Sequence, residues 1–306
     1  MDRSQTEMKY DICCIGHITR DKVVTPQVEL HMAGGTAFYF SHAIQTTPAK
    51  YLLVTALGES DLQSVADLRA KNIEVTVLPS AHTVYFENKY TGNLDHRTQR
   101  VLAVADPFTI EPLQPVQARI YHLGPLLAHD MSAELIGFLA KKGKVSLDVQ
   151  GFLRKVDGQR VVPIDWADKI EALPHISMLK ANEHEMEVLT GQTDPRTGAR
   201  MLADWGVEEV IITLGSKGSI LYHKNTFYDI PAYVPHTVAD ATGCGDTYMA
   251  GYLSQRIQGA SLQQAGEFAA AMASLKMESP GPFKSAAREI ERVLEHSEKT
   301  MPAAWA

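Results

Sequence analysis

Asp240-Ala241-Thr242-Gly243-Cys244-Gly245-Asp246 is the stretch on which the reading of this 306-residue chain turns. It follows an extended segment, Tyr228 to Val238, and runs into residues with helical spacing from Gly243 to Ile257. Two glycines let backbone N–H groups converge without interference from Cβ atoms, and the start of a helix adds partial positive charge. A turn of this kind binds anions, phosphate above all. It lacks the Lys-Ser/Thr of a GxxxxGK[ST] loop and the spacing of a GxGxxG dinucleotide fingerprint. Asp246 sits where the helix dipole would hold a carboxylate ionised beside that phosphate. The work suited to it there is to accept a proton from an attacking hydroxyl. The competing reading is an ordinary turn with Asp246 as a first-turn acid.

Outward from this turn, short apolar runs alternate with helical patterns. Ile12 to Ile15 ends in Gly16 and reads as a buried strand, as do Tyr51 to Thr55, Ile120 to Leu123, Lys144 to Leu147, Ile176 to Leu179 and Val210 to Leu214. Helical spacing lies between them at Asp61 to Lys71, Ser132 to Lys141 and Ala199 to Trp205. Such alternation predicts βαβ units and a largely parallel sheet covered on both faces. The last third is helical over Gly243 to Ile257, Ser261 to Met277 and Ala286 to Glu295. Two segments break the pattern. Lys22 to Met32 is extended, and Thr83 to Tyr90 with His96 to Ala105 flank a turn at Thr91-Gly92-Asn93, which predicts a hairpin. The expected organisation is a single domain over residues 1–306, with a small antiparallel excursion at about residues 22–33 and 83–105.

Composition narrows the function classes. A net charge of −7 argues against a nucleic-acid or anionic-membrane binder, which needs a basic surface. Hydrophobic content of 45% with 21% charged residues is that of a chain with a substantial core. Three cysteines, two of them adjacent, form neither a CxxC motif nor a disulfide framework, which fits a reducing cytoplasm. The first eleven residues are polar, and no run of about 18 apolar residues occurs, so neither a signal peptide nor a spanning helix is expected. The twelve histidines show no HxxxH or HExxH spacing, and no metal is assigned to them.

Asp240 to Gly251, DATGCGDTYMAG, resembles the C-terminal signature of the ribokinase family, the PfkB-type carbohydrate kinases. Met32-Ala33-Gly34-Gly35 resembles the N-terminal Gly-Gly signature, Val54 to Asp61 the second strand with its glycine-plus-acid loop, and Asn182-x-x-Glu185 the NxxE motif. Thr213-Leu214-Gly215-Ser216-Lys217-Gly218 resembles the nucleotide-side TxGxxG. Gly16-His17-Ile18-Thr19-Arg20-Asp21, with Gly34 to Tyr39, is similar to the inositol-kinase branch.

The resemblance implies a three-layer α/β sandwich with a largely parallel central sheet, and a small β lid made by the excursion. It implies ATP and Mg²⁺ as cofactors and a small polyhydroxylated acceptor, with no nucleic-acid or membrane partner and a homodimer through the lid. Asp246 would be the base, and the amides of Gly243, Cys244 and Gly245 the anion hole. Asp21, Gly34, Gly35, Tyr39 and Arg154 would bind the acceptor; Thr213, Gly215, Gly218 and Thr242 would border the nucleotide. Asn182 and Glu185 would organise water around Mg²⁺, although the same residues also satisfy a helix capping box. Tyr39 stands where many pentose kinases carry Asn, and Gln150 replaces the commoner Asn between Asp148 and Arg154. Phe38, Tyr39 and Phe40 leave a nucleoside acceptor open, and a non-catalytic sugar or nucleotide binder is the rival outside the enzymes. His17 is either a substrate contact or a solvent-facing loop histidine.

Overall fold

The protein is described here by a computed structural model covering residues 9–90 and 97–301. The turn at Thr91-Gly92-Asn93 lies outside those residues. The strands of the main sheet, in chain order, begin with β1 (Tyr10–Gly16). From it the chain passes into β2 (Thr19–Val24) and β3 (Glu29–Gly34) of a second sheet, then α1 (Thr36–Ile44), and returns as β4 (Tyr51–Leu57). Next come α2 (Leu62–Ala70), β5 (Glu74–Pro79), β6 (Val84–Tyr90), β7 (Arg97–Ala103) and β8 (Ala118–Gly124). The middle of the chain holds α3 (Ala133–Ala140), β9 (Lys144–Asp148), β10 (Arg154–Asp157), β11 (Arg160–Pro163), α4 (Lys169–Ala172) and β12 (Met178–Asn182). It continues as α5 (Glu183–Thr190), α6 (Pro195–Asp204), β13 (Glu209–Thr213), β14 (Ser219–His223), β15 (Thr226–Ile230) and β16 (Ala232–Tyr233). The last elements are α7 (Cys244–Ile257), α8 (Leu262–Met277), α9 (Ala287–His296) and β17 (Lys299–Thr300).

Nine strands form the main sheet in the order β15-β14-β13-β12-β9-β8-β1-β4-β5, parallel from β13 to β5 and antiparallel at the β13-β14-β15 edge. Alternate residues of one strand feed two cores: Cys13 and Ile15 pack on one face, Ile12 and Cys14 on the other. Leu135 and Met186 of α3 and α5 cover the first face, while Phe40, Met249 and Met272 of α1, α7 and α8 cover the second. Burial on both faces is why the strands read as continuous apolar runs rather than alternating ones. The β13-β14 pair is antiparallel because only Leu214 to Gly218 separates the two strands. A parallel crossover needs a dozen residues or more.

The second sheet has the order β10-β11-β7-β6-β2-β3 and contains both excursion segments plus an unforeseen hairpin, β10-β11. It is mixed rather than wholly antiparallel, because β2 and β6 run parallel. Its inner face alternates cleanly: Asp21, Met32, Phe86 and Val101 share one row across four strands, and Val23, Leu30, Asn88 and Gln99 the next.

Helix α7 carries the glycine turn at its start and is anchored to the sheet by a buried ion pair. Glu209, 3% exposed at the head of β13, accepts a bond from Tyr252 Oη at 2.6 Å and from Arg256 Nη2 at 2.6 Å. Removing one partner of such a group strands the others without a bond or counter-charge. Glu209→Ala is therefore expected to cost about 2–4 kcal/mol of folding stability, read from the urea midpoint. A loss under about 0.5 kcal/mol would show that the pair does not hold the helix.

Candidate active site

Gly243 caps α7 with φ +78°, a left-handed conformation that side chains resist. The ring of Tyr39 on α1 also occupies the place a Cβ at 243 would take. Tyr39 is 4% exposed, so it is chiefly a buttress beneath the turn, with one edge on the acceptor cavity. Cys244 N–H closes the turn on the Ala241 carbonyl at 3.2 Å, and Thr247 N–H bonds back to Gly243 at 2.9 Å. The N–H groups of Gly243, Gly245 and Asp246 have no protein acceptor among the described residues. These are the orphan donors of a helix start, the arrangement at which anions bind. The sequence reading counted the Cys244 amide among them. It is already engaged, because a tight entry into the helix spends that donor on the turn itself.

The approach to the turn is fixed by a lysine the sequence reading passed over. Lys276 on α8, with its side chain fully buried, donates to Asp240 O at 2.8 Å and Oδ2 at 3.0 Å. Asp240 also accepts the N–H groups of Thr242 at 2.9 Å and Gly281 at 3.1 Å. Burial alone would raise the Asp240 pKa, but the Thr242 bonds and the Lys276 ammonium outweigh it and hold the carboxyl below its usual range. Thr242 itself is exposed at the lip of the acceptor cavity.

A second buried lysine lies directly under the glycine turn. Lys180 on β12 is 5% exposed; its Nζ is 2.9 Å from Asp148 Oδ2 and 3.9 Å from Glu185 Oε2. A Cβ on Gly245 would come within 3.0 Å of that Nζ, so this glycine is what lets the ammonium reach the turn. Burial works to lower the Lys180 pKa, yet Asp148, Glu185 and Asp246 together raise it above the usual lysine value. The group stays charged.

Asp246 is a correction. Burial and the neighbouring Asp148 charge push its pKa up to about 7, against the opposing pull of Lys180 and a hydrogen bond from Thr36. The helix dipole does not keep it ionised as expected, because loss of water costs a carboxylate more than a helix end returns. The outcome is a carboxyl poised near neutrality, the range a general base wants.

Two cavities meet at this turn, sharing Asn182, Thr213, Ala241, Cys244 and Gly245. The first, of about 700 Å³, lies between the turn and the second sheet, and it brings together Asp21, Gly35, Tyr39, Asp148, Gln150, Arg154 and Asp246. Asp21 accepts from Thr19 Oγ1 at 2.7 Å, and a Cβ on Gly34 would sit 2.5 Å from its Oδ2, so Gly34 shapes the pocket without lining it. Phe38 and Phe40 do not line this cavity; Phe40 is fully buried and stacks on His122 with centroids 4.4 Å apart. His17 is neither solvent-facing nor at the cavity. It is buried, bonds Ala56 O through Nδ1 at 3.1 Å and packs on Phe108.

The second cavity, of about 680 Å³, is walled by apolar side chains including Val234, Pro235, Val238, Ala270, Ala273 and Met277, with Gly215 and Gly218 at its edge. Gly218 is also required by the fold: its φ is +94°, and Pro231 and Ala232 crowd the place of a Cβ. The Cys244 thiol borders the same cavity; burial pushes its pKa up to about 11, which makes it unreactive. Asn182 and Glu185 form the reciprocal capping box of α5, with both bonds at 2.8 Å. Among the described residues, no group of three acidic, histidine or cysteine side chains is placed to hold a metal directly.

Comparison with known proteins agrees with this fold. A cytidine kinase of Thermococcus kodakarensis is 26% identical over 269 residues, 83% of this chain and 91% of that one. A solved pyrophosphate-dependent kinase in the ribokinase family, complexed with a pyrophosphate analog and myo-inositol, superposes with a TM-score of 0.83 at 29% identity, over 92% of this chain and 99% of that one. Arabidopsis thaliana ribokinase complexed with ribose and ATP shares the fold at a TM-score of 0.78 and 21% identity, over 95% of this chain and 100% of that one. The model of the pfkB family carbohydrate kinases matches residues 120–288, more than half of the chain, and the protein belongs to that family.

Proposed function

We propose that the protein transfers the terminal phosphoryl group of ATP to a hydroxyl of a small sugar or cyclitol. The observation that carries this reading is the meeting of the two cavities at the glycine turn, with a poised carboxyl on one side and unengaged amides between them. Asp246 takes the proton from the acceptor hydroxyl as that oxygen attacks. The N–H groups of Gly243 and Gly245, with Lys180 beneath, stabilise charge on the equatorial oxygens of the moving group. Asp21 orients the acceptor, and the second sheet acts as a lid whose approach excludes water that would otherwise hydrolyse the donor. A binder without catalysis gains nothing from a desolvated acid at this point.

The donor assignment rests on the apolar cavity. Pyrophosphate carries no base and needs no such room, whereas an adenine ring fits between the α8 side chains and Val234 to Val238. Mg²⁺ fits the remaining donors: Glu185 Oε1 takes one long bond, 3.4 Å, from Gln150 and keeps lone pairs for water. Mg²⁺ prefers such water-mediated oxygen contacts. When bound it would neutralise donor phosphate charge, held through water by Asn182 and Glu185. Of the three consecutive aromatics, only Tyr39 reaches the acceptor cavity, which favours a sugar or cyclitol over a nucleoside. The exposed apolar residues Val28 and Leu30 at the β3 edge support pairing of two second sheets in a homodimer.

Release of ADP from ATP, or of orthophosphate when pyrophosphate replaces ATP, measured with cyclitols, hexoses, pentoses and nucleosides, tests the reading. A sugar or cyclitol is expected to stimulate turnover with ATP. Turnover with nucleosides alone, or with pyrophosphate alone, would overturn the acceptor or the donor respectively. The acid limb of kcat/KM should fall near pH 7, because the base must shed its proton first.

Asp246→Asn should lower kcat by on the order of 10²–10⁴ while raising the Tm of the free protein. The sign follows from linkage. The folded pKa is about 7 and the unfolded one near 4, so ionising the buried group opposes folding progressively as pH rises between them. The Tm gain of the variant should therefore grow from pH 4 to 7 and stay level above. A lower Tm at pH 8 would contradict the desolvation argument.

A further inference from the structure

His17 is fully buried in the two-residue link between β1 and β2, where the chain leaves the main sheet for the second. Its Nδ1 lies 3.1 Å from the Ala56 carbonyl, which can only accept, so Nδ1 carries the hydrogen. Burial lowers the ring's pKa despite the nearby charges of Asp130 and Asp106, so the ring is neutral near pH 7 and Nε2 is a bare lone pair. That lone pair faces Asp130 Oδ1 across 3.8 Å. Asp130 is 1% exposed, and neither atom has a hydrogen-bond partner among the described residues. The exposed His129 also stops 3.8 Å short of the same oxygen. Two acceptors are opposed, and no protein donor stands between them.

The two sides of this gap are held by different sheets. His17 is pinned to the main sheet: besides the Ala56 bond, Ile18 N–H donates to Thr55 Oγ1 at 3.0 Å, and both partners are on β4. Asp130 ends a segment that leans on the second sheet. Its Oδ2 accepts the N–H groups of Leu126 at 2.8 Å and Leu127 at 3.1 Å. Those two side chains pack with Val84, Phe86 and Val101 of β6 and β7, and Ala128 N–H bonds Arg154 O on β10 at 2.9 Å. Leu126 also lines the acceptor cavity. One oxygen of Asp130 thus holds the cavity wall, while the other meets a lone pair fixed to the main sheet. A buried acceptor without a donor costs free energy, and exchanging one oxygen for an amide nitrogen would remove the mismatch.

We propose that His17 and Asp130 are positioning residues whose opposed lone pairs keep the Leu126 wall withdrawn from the acceptor site in the free protein. The acceptor draws the wall inward against this repulsion, and the same repulsion reopens the cavity once the phosphorylated product has formed. The kinetic part of the proposal rests on the kinase reading above; the mismatch itself does not. A site held partly open binds its acceptor more weakly than a closed one and releases product faster.

The test uses the full chain carrying Asp130→Asn. The amide oxygen keeps the Leu126 and Leu127 bonds, and Nδ2 presents a hydrogen to the His17 lone pair, so the mismatch becomes a bond. The Tm of the free protein at pH 8 should rise by roughly 2 °C or more. Nitrogen NMR of the imidazoles, with His17 assigned from the spectrum of His17→Gln, should show a bare Nε2 in the wild type and a hydrogen-bonded one in the variant. With ATP and the best acceptor of the wild-type panel, the acceptor KM should fall at least threefold and kcat should fall with it, while the KM for ATP stays unchanged. Should Asp130→Asn fail to fold, His17→Gln offers an amide hydrogen from the other side of the gap and must give the same fall in acceptor KM. A Tm that is unchanged or lower, or an acceptor KM that does not move, would overturn the proposal. Failure of the kinase reading is separate: the wild type would then turn over no acceptor, while melting and NMR would still decide whether the pair is mismatched.

Discussion

Asp148, Glu185 and Asp246 gather their negative charge around the ammonium of Lys180, and a phosphoryl group would have to enter that same volume. Without the cation, three partly desolvated carboxyls would repel one another and any incoming phosphate. With it, Asp148 is paired, Glu185 is free to complete its capping box, and Asp246 is left near neutrality. Asp148 alone holds the 2.9 Å bond to Lys180; burial first, and then the Asp148 charge, raise the Asp246 pKa. Gly245 belongs to the same constraint, since its bare Cα is what lets the ammonium rise to the turn.

The order of strands and helices was legible because strands buried on both faces are written as apolar runs, and helices as periodic ones. The glycine-acid turn was legible because few residue types tolerate its backbone. Lys180 and Lys276 were not. Lysine is rarely buried, so a Lys inside Met178-Leu179-Lys180-Ala181 reads as surface. Yet a central strand with one charged residue among apolar ones is itself a signal of a buried counter-charge. The ionisation of Asp246 was misread for a related reason: the helix dipole can be inferred from local sequence, whereas burial and the charge of Asp148, nearly a hundred residues away along the chain, come from the tertiary fold. The β10-β11 hairpin, rich in charge and edge-like, carries no apolar pattern to announce it.

Tyr39 shows how one residue can line a cavity and buttress a turn at once. The position after the Gly-Gly pair does reach the acceptor cavity, but the ring is mostly committed to filling the space a side chain at 243 would need. An asparagine there would have spare polar atoms; a tyrosine supplies bulk and stiffness.

That packing has a mechanical side. Strand β3 runs through Gly34 and Gly35 straight into α1, with no loop to absorb displacement, and Tyr39 rides on that helix. The strand and the ring on which Gly243 rests are therefore separated only by Gly35 and the first turn of α1. The second sheet and the helix that supports the glycine turn are thus joined through a single residue, Gly35.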